Sequence, residues 1–191
     1  MLRIKTHWGL AIQEACKYSS VPPEFLATLI ANESGGRPEV RRFEPAIFQK
    51  LQAVRNGTQR AWGSLDARYL IKLSDNDLRE LATSWGLTQI LGWHALFWGR
   101  APADLLEPQF NLNLAVRLLA RFAQAFQLDL RTEFESLLRC WNTGQPADNP
   151  KTPRIEGRTS DPKYVENGLA RMEIYRGLGT RDMGLGKEAA G

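Results

Sequence analysis

The sequence predicts an all-α protein folded as a single domain. Three observations predict it. Apolar residues recur at helical spacing along most of the chain, and proline, serine or aspartate stand where helices would start. No pair of alternating apolar and polar runs marks a convincing strand pair. With 191 residues, 43% of them hydrophobic and 24% charged, the chain has the balance of an ordinary globular protein with a sizeable core.

Residues 6–18 place Trp8, Ile12, Ala15 and Cys16 on one face. Pro22-Pro23 opens a second helix, because proline in a first turn gives up no hydrogen bond, and this helix runs to about Glu33. Pro45 to Val54 keeps Ile47, Leu51 and Val54 in register until Asn56-Gly57 breaks the pattern. Ser74-Asp75-Asn76-Asp77 resembles an acidic capping box ahead of Leu78, Leu81 and Ala82.

Residues 110–127 form the strongest pattern. Leu112, Ala115, Val116, Leu119, Phe122, Ala123 and Phe126 trace one face, and Asn113, Arg117, Arg121 and Gln124 another. This helix is expected to be the central packing element. Residues 131–141 turn Phe134, Leu137, Leu138 and Trp141 inward. The stretch 143–162, with four prolines and two glycines, reads as a long mobile loop. Within it, Ile155-Glu156-Gly157-Arg158 matches a protease cleavage tag, for which chance is an adequate explanation. A last helix spans about 161–176, and the glycine-rich tail over 177–191 reads as flexible. Cys16 and Cys140 sit in apolar helical settings and read as buried free thiols ahead of a bridge.

A net charge of +4 favours an anionic partner: nucleic acid, an anionic membrane surface or bacterial cell wall. The basic residues are scattered, with no recognition-helix cluster, so nucleic acid is not expected as the partner. No apolar run approaches the ~20 residues that cross a bilayer, so stable membrane insertion is not expected either. Met1 to Ser20 lacks a continuous apolar core and a small-residue cleavage site, and reads as an amphipathic helix instead of a signal peptide. If the substrate lies outside the cytoplasm, something other than a signal visible here must then deliver the protein. His7 and His94 have neither the spacing nor the neighbours of a metal site. No metal and no organic cofactor is expected, and the protein is expected to be a monomer.

The chemistry concentrates in four segments that a helical core does not require. The first is Glu33-Ser34-Gly35-Gly36, directly after the apolar run Phe25 to Ile30. A carboxyl held against apolar walls loses solvation of its anion, which suits it to proton donation near neutral pH; a helix end followed by glycine is the plain alternative. The others are Ser84-Trp85-Gly86-Leu87-Thr88-Gln89-Ile90-Leu91-Gly92-Trp93, then Cys140-Trp141-Asn142-Thr143-Gly144, then Tyr164-Val165-Glu166-Asn167-Gly168-Leu169.

In this order the four resemble the soluble lytic transglycosylase and goose-type lysozyme superfamily, whose members show Glu-Ser, Gly-Leu-x-Gln-Ile, Tyr-Asn-x-Gly and Tyr-Val-x-Asn. The resemblance covers roughly residues 20–176. Arg42-Phe43-Glu44-Pro45-x-Ile47-Phe48, with Ser84-Trp85-Gly86-Leu87, also resembles phage-type N-acetylmuramidases. The resemblance implies a lysozyme-like helical domain over 1–176. About 50 residues separate Glu33 from the Gly-Leu-x-Gln motif, which implies an extra helical insertion over about 45–83. It further implies cleavage of the β-1,4 bond between N-acetylmuramic acid and N-acetylglucosamine, with peptidoglycan strands as partner and Glu33 as the catalytic acid.

Two outcomes of that cleavage remain open at this stage. A lytic transglycosylase needs one carboxylate, which later takes the proton of the muramyl 6-hydroxyl as a 1,6-anhydro ring closes. A hydrolytic muramidase needs a second carboxylate to activate water, and Glu44 is the candidate. The plain reading of Glu44 is an exposed glutamate at a helix N-terminus beside Pro45. A non-catalytic wall-binding or assembly module with the same fold is the alternative of another class.

Gly86 would let the backbone approach a sugar, and Gln89 and Ser84 would hydrogen-bond its N-acetyl or hydroxyl groups. Ser84 reads equally as a helix N-cap. Trp141, Asn142 and Tyr164 are expected to border the substrate, with Asn167 holding loop backbone. Trp85, Trp93, Trp98 and Trp141 stand near the motifs, but no more than two of the six tryptophans are expected to line a cleft. Trp141 stands where the family usually has a tyrosine whose hydroxyl supports the glutamate. An indole donates but cannot accept, so the hydrogen bonding around Glu33 must differ.

Overall fold

Helices α1 (Leu2–Cys16) and α2 (Pro23–Glu33) open the chain, and α2 is the most deeply buried helix among the described residues. The structure, a computed structural model, describes residues 1–146 and 162–181. Along α2, Phe25, Leu26, Ala27, Thr28, Leu29 and Ile30 are all buried, and the Thr28 hydroxyl is satisfied by the Glu24 carbonyl at 2.9 Å. A helix that is apolar all round belongs inside. Helix α7 (Pro108–Phe126) keeps the two-faced pattern read from the sequence: Leu112, Ala115 and Leu119 are buried while Asn113, Arg117, Arg121 and Gln124 are exposed. The central role expected of α7 therefore falls to α2.

The remaining helices are α3 (Pro45–Arg55), α4 (Ala67–Leu70), α5 (Asp75–Leu81), α6 (Trp93–Leu96), α8 (Phe134–Thr143) and α9 (Pro162–Arg181), with a 3-10 turn at Pro102–Leu106. The acidic capping box is present at α5. Ser74 Oγ accepts from the Asp77 N–H at 3.2 Å, and Asp77 Oδ2 accepts from the Ser74 N–H at 2.7 Å. Helix α9 continues to Arg181, past the end expected near 176. Most of the loop expected over 143–162, including Ile155 to Arg158, lies outside the described residues, as do residues 182–191.

The chain is mostly helical but not all-α. Short strands β1 (Arg41–Phe43), β4 (Thr83–Trp85) and β5 (Ile90–Leu91) form an antiparallel sheet in the order β1-β4-β5, and β2 (Ala61–Trp62) pairs with β3 (Leu65–Asp66). Strands of two or three residues are too short to show a period of two, and all of β4 is buried, so no alternation existed to be read.

The described residues divide into two compact units. The first comprises Met1–Gly36 and the chain from Leu112 onward; the second comprises Arg37–Asn111. In the first, α9 lies against α2 and α8, α1 packs on α2, and the rings of Phe25 and Phe134 stack at 5.4 Å. Cys16 and Cys140 are both buried free thiols of this unit. Burial alone pushes the Cys140 thiol up to about 12; for Cys16 burial and then the nearby Glu24 charge have the same result. In the second unit, Ile47, Leu51 and Val54 of α3 pack with Leu65, Leu70, Leu78, Leu81 and Ala82. Among the described residues no helix is long and apolar enough to cross a membrane.

Candidate active site

Glu33 is the last residue of α2, half-buried at the end of the buried apolar run. The turn that follows is pinned from several sides. The Ser34 N–H donates to the Ile30 carbonyl at 3.1 Å, the Gly36 N–H to Ser34 Oγ at 3.2 Å, and the Trp8 indole to the Gly36 carbonyl at 3.0 Å. The side chain of Glu33 is thus carried on a helix end that has little freedom to move.

Tyr164, in the first turn of α9, donates its hydroxyl to Glu33 Oε1 at 2.5 Å. This is the length of a charge-assisted O–H···O⁻ bond. Burial, followed by the Glu33 charge and the bond itself, holds the phenol well above its ordinary value near 10, so the hydroxyl keeps its proton and remains a donor. The hydroxyl on Glu33 is thus supplied by Tyr164 of α9. Trp141 and Asn142 are half-buried near the end of α8, in the same unit. Asn167 is exposed within α9.

The other sequence-predicted residues lie in the second unit. Ser84 is buried in β4, opposite Arg42 of β1, and is not a helix N-cap. Its hydroxyl donates to Glu44 Oε1 at 3.1 Å, and Arg42 Nε donates to the same oxygen at 2.8 Å. Glu44 does occupy the N-cap position of α3, but its carboxylate makes no capping bond there. Its side chain is 22% exposed. The structure therefore brings Glu44, Ser84 and Arg42 together, and Glu33 with Tyr164.

The Gly86–Gln89 turn is shaped by a residue the sequence reading passed over. Asn111 is fully buried in the first turn of α7. Its Nδ2 donates to the carbonyls of Trp85 and Leu105, both at 3.0 Å, and its Oδ1 accepts from the N–H (3.0 Å) and hydroxyl (2.6 Å) of Thr88. The signal was available: Asn111 precedes Ala115 by four residues and Leu119 by eight, which puts a polar side chain on the buried face of α7.

Gly86 has φ +75°, and a Cβ there would lie 2.2 Å from the Leu105 carbonyl oxygen and 2.6 Å from Asn111 Nδ2. Packing against Leu105 and Asn111 is enough to account for this glycine. Gln89 also takes a positive φ of 52°, and both of its amide hydrogens go to backbone, at Gly86 O (2.9 Å) and Val40 O (3.1 Å). Only its Oε1 would be left to meet a ligand. Trp85 is core, with its indole N–H on the Glu80 carbonyl at 3.1 Å. Trp93 packs against Trp62 and Phe97, and Trp98 is exposed. Among the described residues no three His, Cys, Asp or Glu side chains converge as a metal site.

Comparison of the chain with protein-family models, curated proteins and solved structures found no match.

Proposed function

We propose that the protein is a peptidoglycan-cleaving enzyme with a lysozyme-like fold, acting as a lytic transglycosylase with Glu33 as its acid and then its base. The observation that carries this reading is the Tyr164 hydroxyl on Glu33 Oε1, at the end of a helix whose preceding turns are buried. A hydroxyl on one carboxyl oxygen fixes the rotation of the group and supports it as an anion once its proton has gone. The acid first protonates the glycosidic oxygen, and the bond to the departing sugar breaks with help from the 2-acetamido group of the muramyl residue. The carboxylate then takes the proton of the 6-hydroxyl, which closes the 1,6-anhydro ring. That internal attack has a high effective concentration, so it competes well with water. The net charge of +4 suits an anionic wall.

One observation favours hydrolysis as a second reading. Glu44 is a carboxylate fixed by two donors, Arg42 and Ser84, and muramidases activate water with a second carboxylate. Digestion of purified peptidoglycan by the wild type and by Glu33→Gln tests both. We expect Glu33→Gln to melt as the wild type does and to lose at least ~10²-fold in muropeptide release. Wild-type products one water lighter, with anhydro ends, support the transglycosylase; reducing ends transfer the proposal to the muramidase. A Glu33→Gln protein that still clears cell walls removes Glu33 from the chemistry and leaves a wall-binding module.

A further inference from the structure

The residues behind the Glu33–Tyr164 pair form a chain of their own. Asn32, the neighbour of Glu33 in the last turn of α2, donates from Nδ2 to the Tyr164 backbone carbonyl at 3.1 Å. Its Oδ1 accepts from Arg171 Nη1, on α9. Positions 164, 168 and 171 fall on one face of α9, four and seven residues apart. Between the two polar residues sits Gly168, where a Cβ would come within 3.2 Å of Asn32 Nδ2 and 2.7 Å of Leu138 Cδ1. A glycine inside a helix costs about 1 kcal/mol against alanine. Here it gives Asn32 room to lie against α9.

The chemistry of the three groups fixes their order. A guanidinium can only donate, so Asn32 must turn its oxygen to Arg171, and its amide hydrogens then face the Tyr164 carbonyl. The last turn of α2 and the first turn of α9 are thereby clasped beside the carboxyl. The charged groups that act on the Tyr164 hydroxyl are Glu33 from α2 and Arg171 from α9.

We infer that Arg171 and Asn32 are positioning residues that hold the Tyr164 hydroxyl on Glu33. The inference rests on the reading of Glu33 as the reacting acid for its relevance to catalysis, but the coupling itself is a property of the fold. Arg171 acts through Asn32 and Tyr164, not by touching substrate.

The test uses the full chain as wild type, Tyr164→Phe, Arg171→Met, Arg171→Lys, Asn32→Ala and the double variant Tyr164→Phe/Arg171→Met. Two measurements are made: muropeptide release against pH, and the titration of the Glu33 carboxyl followed by carbon NMR. A general acid works in its protonated form, so activity falls as pH rises through its titration. Loss of a donor to the anion moves that alkaline limb, and the NMR midpoint, upward by about one pH unit in Tyr164→Phe. Arg171→Met and Asn32→Ala are expected to move both the same way, Arg171→Lys to restore part of the wild-type position, and Arg171→Met to add nothing once Tyr164 is Phe. An Arg171→Met shift as large in the double variant as in the single one overturns the inference. So does a lowered melting temperature with the limb and midpoint unmoved. If the midpoints move as expected but the wild type releases no muropeptides, the inference stands and the proposed function fails. If the wild type releases them and Arg171→Met moves neither limb nor midpoint, the inference alone fails.

Discussion

The two units use their polar residues in opposite ways. In the first, a carboxyl at one helix end meets a phenol 131 residues away, and the contact joins two side chains. In the second, the Ser84–Gln89 segment spends its polar atoms mainly on its own scaffold. Asn111 satisfies Trp85, Leu105 and Thr88, and Gln89 binds two backbone carbonyls. A motif residue whose hydrogen bonds are already filled builds the shape of a site and has little left with which to act on a ligand. A half-buried carboxyl at a helix terminus, with a hydroxyl trained on it, is equipped for proton transfer. The contrast separates motif residues that make geometry from those whose groups are left in place for the proposed chemistry.

The sharpest way to break this contrast is at Gly86. A side chain there needs a left-handed backbone and collides with the Leu105 carbonyl oxygen at 2.2 Å, an atom that cannot rotate away. Gly86→Ala is expected to destabilise the second unit by more than about 3 kcal/mol, from backbone strain and overpacking together. Amide exchange over 83–91 and 105–111 reads the loss directly. A variant that melts normally but releases fewer muropeptides would instead make Gly86 a substrate-approach residue, and the scaffold account of this loop would be wrong.

The difference between the units also marks what the sequence could tell. Helical periodicity located α2, α3, α7 and α8 to within a few residues, and the Ser74–Asp77 box announced α5, because these signals are local. The sheet β1-β4-β5 was not legible, since its strands are two or three residues long and β1 pairs with β4 across some forty positions. Glu33 and Tyr164 were named from their motifs, but the bond between them depends on how α9 lies on α2, which no spacing encodes. Asn111 is the instructive miss. Its side chain sits on the buried face of α7, and a polar residue at an apolar position is a request for partners that the sequence cannot name.

Alkaline pH separates the units next. Both cysteines of the chain lie in the first unit, buried and held to about 12 against an ordinary value near 9, and Tyr164 is raised above 10 in the same unit. A group whose folded pKa is raised contributes stability fully below its unfolded value and loses it as pH climbs through the folded one. The thiol contribution should therefore be intact below about pH 9 and gone by about pH 12. At ~1.4 kcal/mol per pH unit for each thiol, the loss is on the order of several kcal/mol. Denaturant melts at pH 8 and pH 10.5, with amide exchange over α2, α8 and α9, should show these helices weakening. Cys16→Ala should flatten the dependence. An unchanged slope in that variant would mean that the thiol ionises without cost and is not enclosed as described.

The smallest expected effect is the one that discriminates best between the two catalytic readings. Ser84→Ala removes a buried hydroxyl from Glu44 Oε1 and leaves Arg42 as the remaining donor, 64% exposed and so screened by water. One neutral donor on a carboxylate is worth about 1.5 kcal/mol, a melting shift of ~3–6 °C for a chain of this size. If Glu44 belongs to the scaffold, that shift is the whole result, and both the rate and the anhydro product stay within about twofold of wild type. If Glu44 activates water, its orientation matters to every turnover. The rate should then drop well beyond that bound, and the products should carry reducing ends. A single substitution away from Glu33 thus asks whether Glu44 belongs to the scaffold or to the proposed reaction.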